Sequence, residues 1–297
     1  MKKLMIAAAV AATAGIAGAI ESANTVGYTS REINNKFVIS AGQFDAIGGS
    51  AFSVASVGVD APATVNAWIT WDDEADEFYD NVPGWAQKAP QIQIPNADGT
   101  GYTFAYYVAD ARDPQDDSNA GAGWVSGDGY LINATITSGL GIWTRGYRDG
   151  DTTVANTTLT YAGEVSDDDS QSISLNDKFQ LRAVPYPKEL VLHGEGVAGW
   201  SALTPVTAWQ TWDDEADEFY DNVPGWTAGA AQIQIPNADG TGYTFAYYVA
   251  DARDPADDSN AGAGWVSGDG YLINATIPVG RGVWFNGRKT VTVPIYK

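Results

Sequence analysis

Hydrophobic and polar residues alternate along several short segments of this chain. In Gln91-Ile92-Gln93-Ile94 the two isoleucines recur with the period of a β-strand, which places both on one face. Asp98-Gly99 then supplies a tight turn, and Tyr102–Val108 is aromatic and β-branched enough to form the returning strand. Further strands are predicted over Tyr130–Ile136, Leu140–Arg145 and Thr152–Tyr161. Short strands at this spacing predict a mainly all-β fold of sandwich or barrel-like domains.

One segment follows a helical period instead. Four apolar residues recur with the spacing of one helix face: Trp71, Ala75, Phe78 and Val82. Thr70 stands at the N-cap position, and Pro83-Gly84 would end such a helix. We therefore expect one short helix in each domain, although Trp68–Trp71 also suits a strand.

The sequence contains a long internal repeat. Val65–Ile136 aligns without gaps to Val206–Ile277 at an offset of 141, and 65 of the 72 positions are identical. Each block continues into a shared motif, Ile136-x-x-Gly139-x-Gly141-Ile142-Trp143 and Ile277-x-x-Gly280-x-Gly282-Val283-Trp284. Recent gene conversion explains such identity without any function, whereas a common partner for both copies explains it through selection. Under either explanation the molecule carries two equivalent faces.

The repeat divides the chain into two predicted domains of ordinary size. The first covers residues 20–165 and the second, its duplicate, covers residues 166–297, with a polar linker near Ser166–Ser172. Residues 1–19 have the pattern of a secretory signal peptide, with two lysines, an apolar stretch and Ala17-Gly18-Ala19 at the cleavage site. We therefore expect a secreted, extracellular or cell-surface protein, or a periplasmic one, with no transmembrane segment after cleavage.

Charge and composition exclude several classes of partner and chemistry. The chain has 37 acidic and 16 basic residues and a formal net charge of −21, so nucleic acid is close to excluded, because binding it requires a basic surface. The absence of Cys rules out disulfides, zinc-thiolate sites and thiol nucleophiles. One His cannot supply a metal site built from several histidines.

An acidic, glycine-rich loop in each repeat is a candidate metal site. Packed carboxylates repel one another, and Ca²⁺ accepts six to eight oxygen ligands of this kind. The candidate ligands are Asp110, Asp113, Asp116, Asp117 and Asn119, with Asp251, Asp254, Asp257, Asp258 and Asn260 in the second copy. The alternative is a solvated loop that keeps the protein soluble. Ca²⁺ is the one candidate cofactor.

Tryptophans are the candidate contacts for a sugar or a protein partner. Most of the eleven are expected in the core, and Trp143 and Trp284 are assigned to packing. Trp85 and Trp226 follow Pro-Gly and are predicted to be exposed. With them we group the nearby acids as partner or sugar contacts: Asp72, Asp73, Asp213 and Asp214.

Catalysis has few candidates in this sequence. Glu74 with Glu77, and Glu215 with Glu218, are the acid/base pairs that a glycoside hydrolase needs, but three residues of separation on a helix bring them too close. His193 lies outside the repeat and suits a strand end. We therefore predict a protein that is not an enzyme.

The shared Ile-x-x-Gly-x-Gly-[Ile/Val]-Trp motif, together with Val26-Gly27-Tyr28, resembles uncharacterised bacterial exported tandem β-repeat proteins. This resemblance implies no activity.

Three functional hypotheses follow from the sequence. The first is a non-enzymatic structural or surface protein that binds its own copies in filaments or layers, with divalent ions bridging the acidic loops. The second is a pair of tandem carbohydrate-binding modules whose partner is a cell-surface glycan. The third is an acid/base glycoside hydrolase that uses Glu74 or Glu215.

Overall fold

The structure, a computed structural model, describes residues 25–45, 51–69, 71–72, 77–78, 81–97, 100–150, 155–193, 198–209, 212–213, 218–219, 222–237 and 241–297. Strands account for 51% of the described residues and helices for 6%, so the predicted all-β class is confirmed. The predicted signal peptide lies outside the described residues. Below, the N-terminal half means residues 25–165 and the C-terminal half means residues 166–297.

Ten strands are formed by the described residues of the N-terminal half. They are β1 (Thr25–Ile33), β2 (Val38–Ala41), β3 (Val57–Asp60), β4 (Trp71–Asp72), β5 (Glu77–Phe78), β6 (Gln91–Pro95), β7 (Tyr102–Arg112), β8 (Asn119–Val125), β9 (Gly141–Arg145) and β10 (Thr157–Val165). A short helix, α1 (Trp85–Lys88), and a 3₁₀ turn at Val54–Ser56 complete this half.

The described residues of the C-terminal half form eleven strands in a similar order. Its strands are β11 (Ser170–Leu175), β12 (Gln180–Ala183), β13 (Leu190–Val191), β14 (Trp212–Asp213), β15 (Glu218–Phe219), β16 (Ala231–Pro236), β17 (Tyr243–Arg253), β18 (Asn260–Val266), β19 (Thr276–Ile277), β20 (Gly282–Asn286) and β21 (Val291–Tyr296). Its helix is α2 (Trp226–Gly229), and a 3₁₀ turn covers Trp200–Ala202. Strand β11 takes in the last three residues of the predicted linker.

Each half contains one large antiparallel sheet. The strand order is β2-β9-β6-β7-β8 in the N-terminal half and β12-β20-β16-β17-β18 in the C-terminal half. A smaller sheet accompanies it, with order β1-β10-β3 in the first case and the pair β11-β21 in the second. A β-bulge interrupts the register after Val108 in β7 and after Val249 in β17. The two large sheets are therefore built in the same way.

The large and small sheets of each half share an apolar core. In the N-terminal half, Ile92 and Ile142 from the large sheet belong to the same buried cluster as Leu159 from the small sheet. In the C-terminal half, Ile233 and Val293 share a cluster in the same manner. Burying one such side chain contributes about 1.5–3 kcal/mol, so alternating apolar residues hold the layers together. Each half is a β-sandwich.

The hairpin predicted from alternation is confirmed. Strands β6 and β7 pair from Gln91 with Tyr106 to Pro95 with Tyr102. Asn96 N–H donates to the carbonyl of Gly101 at 2.9 Å and closes the connection, while the Asp-Gly pair of the predicted turn lies outside the described residues. The strand predicted at 140–145 is present as β9.

The helix predicted from the spacing of Trp71 to Val82 is wrong. Strands β4 and β5 pair antiparallel instead, with Trp71 opposite Phe78. Aromatic residues flanked by Thr also favour paired strands, and here that preference prevails over the helical period. Pro83-Gly84 does not end a helix but precedes one, because Gly84 adopts a left-handed φ of 75° directly before α1.

Two other predicted strands differ in extent. Residues 130–136 form only isolated bridges, such as the one between Ser53 and Thr135, rather than a continuous strand. Among the described residues, the strand predicted from Thr152 begins at Thr157 and runs on to Val165. The first difference concerns a whole predicted strand and the second concerns the start of one.

The two halves meet through equivalent backbone segments. Ala41 N–H donates to the carbonyl of Gly280 at 3.0 Å, and Ala183 N–H donates to the carbonyl of Gly139 at 2.9 Å. Ala41 and Ala183 occupy equivalent positions, because the segments that contain Phe37 and Phe179 align. Gly139 and Gly280 are also equivalent, because the two Gly-x-Gly motifs align with each other. One chain thus contains an internal contact of the kind that a two-fold dimer makes between subunits.

The second glycine of each motif permits this close approach. A Cβ atom on Gly141 would lie 2.9 Å from the backbone nitrogen of Arg182. A Cβ atom on Gly282 would lie 2.8 Å from the carbonyl oxygen of Ser40. Both distances are too short for carbon, and backbone atoms cannot swing aside. The second glycine of the motif is therefore explained by the packing of one half against the other.

Candidate functional site

The first acidic residue of each predicted metal loop binds backbone amides. The carboxylate of Asp110 accepts hydrogen bonds from Ala67 N–H at 2.7 Å and from Trp68 N–H at 3.2 Å. Asp251 repeats this arrangement at 2.8 and 3.0 Å. These carboxylates therefore hold a neighbouring segment in place through charge-assisted hydrogen bonds.

Three of the four remaining residues of the loop bind amides of their own turns. Asp113 accepts from Gln115 N–H at 2.8 Å, and Asp116 accepts from Ser118 N–H at 3.0 Å. The bonds from Ser118 hold the pKa of Asp116 below its usual value. Asn119 accepts from its own turn as well, and the second loop repeats these bonds at Asp254, Asp257 and Asn260. Asp117 and Asp258 adopt a left-handed φ of 59°.

The structure does not gather the predicted calcium ligands into a site. No group of three or more acidic or histidine side chains lies together within the part of the chain that the structure describes. The expectation of a cation rested on crowded carboxylates that lack another source of stabilisation. Backbone N–H donors supply that stabilisation in both loops.

The two tryptophans predicted to be exposed are buried. Trp85 is 5% exposed and Trp226 is 7% exposed. Trp85 packs edge to face on Tyr106 with 5.3 Å between ring centroids, and Trp226 packs on Tyr247 at 5.4 Å. The prediction of exposed sugar or partner contacts at these positions is wrong, because each helix begins at its Trp and directs the ring into an apolar cluster.

The other acidic candidates are only partly described. Asp72 and Asp213 lie in the two-residue strands β4 and β14, while Asp73 and Asp214 fall outside the described residues. For the catalytic pairs, Glu77 and Glu218 lie in β5 and β15, and their partners Glu74 and Glu215 also fall outside. His193 is exposed shortly after β13.

Trp143 and Trp284 pack against each other across the contact between the halves. Both rings are half-buried, and they meet edge to face with 6.1 Å between centroids. The predicted packing role is confirmed, although the contact joins the two halves rather than filling a single core.

A cleft of about 860 Å³ lies beside this contact and draws its walls from both halves. The N-terminal half contributes the end of the β6–β7 hairpin, including Tyr102, and the segment from Ile132 to Leu140. The C-terminal half contributes residues 172–174, the segment from Phe179 to Arg182, and Trp284. Its volume falls within the range of about 300–1,000 Å³ that is typical of ligand sites.

The place that corresponds to the cleft on the other side of the contact is largely filled by the side chain of Arg31. Ile173 of the cleft aligns with Arg31, whose guanidinium donates to the carbonyls of Ile39 at 2.6 Å and Gly280 at 3.3 Å. Burial, together with the charge of Arg281, lowers the pKa of Arg31 to about 10. The cavity there is only about 300 Å³. The internal symmetry is therefore broken, and one of the two places is open.

The outer edges of the two large sheets form a second candidate surface. Strands β8 and β18 have the same sequence, Asn-Ala-Gly-Ala-Gly-Trp-Val, and each is the last strand of its sheet. Within the described residues, the backbone from Asn119 to Gly123 hydrogen-bonds to no other backbone than that of β7. The same holds from Asn260 to Gly264 against β17. The outer side of each edge therefore has N–H and C=O groups without a backbone partner, while the N–H groups of Gly121 and Gly262 donate to the side chains of Asn119 and Asn260.

Comparisons of this chain with protein families, with curated proteins and with solved structures each give no match. Among the described residues, the helices are all too short or too polar to cross a membrane.

Of these two surfaces, the sequence alone could have indicated the strand edges but not the cleft. The cleft joins residues from segments that lie between about 30 and 190 positions apart, and no local pattern links them. The edges were within reach of sequence reasoning, because a repeated run of Asn, Ala and Gly carries no large side chain to bury and suits an exposed margin.

Proposed function

We propose that the protein is an exported, non-enzymatic structural or surface protein that assembles with its own copies through the outer edges of its two large sheets. The observation that carries this proposal is the pair of matching edges, β8 and β18. Export is supported by the pattern of residues 1–19.

The composition of the edges favours pairing with another strand. Residues of β8 from Asn119 to Ala122 are exposed or half-buried, carry no charge and include no proline. Charged residues and prolines are the usual protection of an exposed edge against pairing. An added strand satisfies the free N–H and C=O groups by β-augmentation.

Because each chain has two edges, an assembly of copies can grow in both directions. Strands β8 and β18 lie at the margins farthest from β2 and β12, the edge strands of the large sheets at the contact between the halves. An edge of one copy that pairs with the opposite edge of the next copy leaves a free edge at each end. Contacts of this heterologous kind give filaments or layers unless a ring closes.

The acidic loops control this pairing through their charge. Asp113, Asp116 and Asp117 immediately precede β8, and the second loop precedes β18 in the same way. Edges that pair in parallel bring the acidic loops of neighbouring copies close, so like-charge repulsion opposes assembly. Bridging by a divalent ion such as Ca²⁺ or screening by salt offsets that repulsion.

The test compares the wild-type protein with the variant Ala122→Glu/Ala263→Glu. We expect the wild-type protein to form species heavier than one chain as its concentration rises in Ca²⁺ and salt, measured by light scattering and negative-stain microscopy. A glutamate on each edge places a charge on the strand that would pair, and charged residues protect exposed edges against pairing. The double variant is therefore expected to keep the mass of a single chain.

The control is Ala162→Glu. Ala162 is also exposed, but it lies in β10, which has a neighbouring strand on each side. This variant is expected to assemble like the wild-type protein. A wild-type protein that keeps the mass of a single chain in every buffer, or equal assembly by the edge variant and the control, would refute the proposal.

A further inference from the structure

The cleft between the halves has the wall chemistry of a saccharide site. Aromatic rings reach it from both halves: Tyr102 from the N-terminal half, Phe179 and Trp284 from the C-terminal half. Phe179 is 39% exposed, and the rings of Tyr102 and Trp284 are half-buried. Aromatic faces that are partly open to a cleft can stack on the apolar C–H face of a sugar ring.

Hydroxyl groups from both halves face the same space. Thr135 and Thr137 belong to the N-terminal half, and Ser172 and Ser174 belong to strand β11 of the C-terminal half. All four residues are exposed. Their hydroxyls make no hydrogen bond to any other described residue. They are therefore available to a ligand that both donates and accepts hydrogen bonds, as sugar hydroxyls do.

The charge of the cleft favours a neutral ligand. Among its described lining residues there is no carboxylate, in a chain of net charge −21. The one ionic side chain there is Arg182, whose Nε donates to the carbonyl of Ser174 at 2.9 Å and whose Nη1 donates to the carbonyl of Leu181 at 3.0 Å. A cation finds no counter-charge in this wall, and a polyanion is repelled by the rest of the surface.

We propose that the cleft binds a neutral oligosaccharide, stacked on Phe179 and Tyr102 and hydrogen-bonded by the facing serines and threonines. There is one such site in each chain rather than two, because Arg31 fills the equivalent place. The site stands apart from the strand edges, so saccharide binding and assembly are separable properties.

The internal repeat provides matched controls for each aromatic contact. Phe179 aligns with Phe37, which is 40% exposed, and Tyr102 aligns with Tyr243, which is 37% exposed. Neither Phe37 nor Tyr243 lines the cleft. The two members of each pair are similarly exposed, and changes at them have different consequences for the proposed site. Phe37 also lies beside Arg145, whose guanidinium carbon is 5.2 Å from the ring centroid.

The experiment screens the wild-type protein on an array of neutral glycans and then titrates it with cello-, malto-, manno- and xylohexaose by calorimetry. We expect at least one neutral saccharide to bind, and we expect Phe179→Ala and Tyr102→Ala each to weaken binding at least tenfold. Phe37→Ala and Tyr243→Ala are expected to bind within twofold of the wild-type protein. Circular dichroism confirms that each variant is folded.

Two results would overturn the proposal. One is the absence of binding to every neutral glycan on the array. The other is binding that Phe179→Ala and Phe37→Ala weaken to the same extent, because it places the saccharide elsewhere on the molecule.

Discussion

Trp143 and Trp284 occupy equivalent positions in the two repeats, and their rings meet edge to face with 6.1 Å between centroids. A ring pair of this geometry contributes about 0.5–1.5 kcal/mol beyond the apolar area that it buries. The pair lies beside the reciprocal backbone bonds of Ala41 and Ala183. A duplicated sequence has thus produced a molecule whose two halves bind each other as two-fold partners.

The variant Gly141→Ala tests how closely the two halves pack at this contact. The added Cβ would lie 2.9 Å from backbone atoms of Arg182, which cannot move without shifting strand β12. We expect the free energy of unfolding to fall by about 1–3 kcal/mol, the usual cost of overpacking, as measured by urea denaturation.

Gly127→Ala is the control for Gly141→Ala. No atom lies within 4 Å of its Cβ position, and its φ is not left-handed, so the substitution is expected to leave stability unchanged within about 0.5 kcal/mol. If the two variants unfold at the same urea concentration, the halves are not in the close contact described above.

Trp124 and Trp265 offer a matched measurement of one buried hydrogen bond. Both lie in strands of identical sequence, but only Trp124 has a partner for its indole N–H, the carbonyl of Val57 at 2.9 Å. The indole N–H of Trp265 is buried with no hydrogen-bond partner among the described residues. Trp124→Phe is therefore expected to cost about 1 kcal/mol more than Trp265→Phe in urea denaturation. Equal losses would show that the Trp124 bond contributes nothing to stability.

The sequence was informative where neighbouring segments pair. Ile92 and Ile94 indicate both their strand and its buried face, because β6 pairs with the next strand along the chain and the alternation decides which side is covered. The spacing of Trp71 and Phe78 was misleading, since aromatic residues seven positions apart suit either a helix face or two paired strands.

Other features depend on contacts that no local pattern records. Trp85 follows Pro-Gly like a loop residue, but its burial is decided by Tyr106, on a strand later in the chain. Phe179 and Tyr102 carry no sign of a common cleft, because their proximity results from the contact between the halves. Arg31 and Ile173 stand at aligned positions, and the larger, hydrogen-bonded Arg31 side chain lines the smaller of the two cavities.

The burial of Tyr161 predicts a loss of stability at alkaline pH. Complete burial raises the pKa of Tyr161 to about 12, an effect that the charge of Arg31 partly offsets. The folded protein therefore holds this proton more tightly than the unfolded chain, whose tyrosines titrate near 10. Stability from this residue is fully present below pH 10 and decreases by about 1.4 kcal/mol per pH unit between pH 10 and 12.

Tyr161→Phe removes this dependence. The difference in unfolding free energy between the variant and the wild-type protein is expected to be constant below pH 9 and to shift in favour of the variant above pH 10. Tyr28→Phe, at a ring that is 74% exposed, serves as the control for general alkaline effects. A constant difference for Tyr161→Phe up to pH 12 would contradict the prediction.

Ionic strength is expected to promote assembly. Edges that pair in parallel bring Asp113, Asp116 and Asp117 close to the acidic loop of a neighbouring copy, and the chain carries a net charge of −21. Raising the salt concentration from about 0.01 M to about 1 M shortens the screening length from about 30 Å to about 3 Å, which removes most of the repulsion between exposed charges. Light scattering should therefore rise with NaCl, and CaCl₂ should act at lower concentration if the ion bridges loops rather than only screening them. Equal effects of CaCl₂ and NaCl at the same ionic strength would limit the role of calcium to screening. Light scattering that falls as the salt concentration rises would show that charge repulsion does not control assembly.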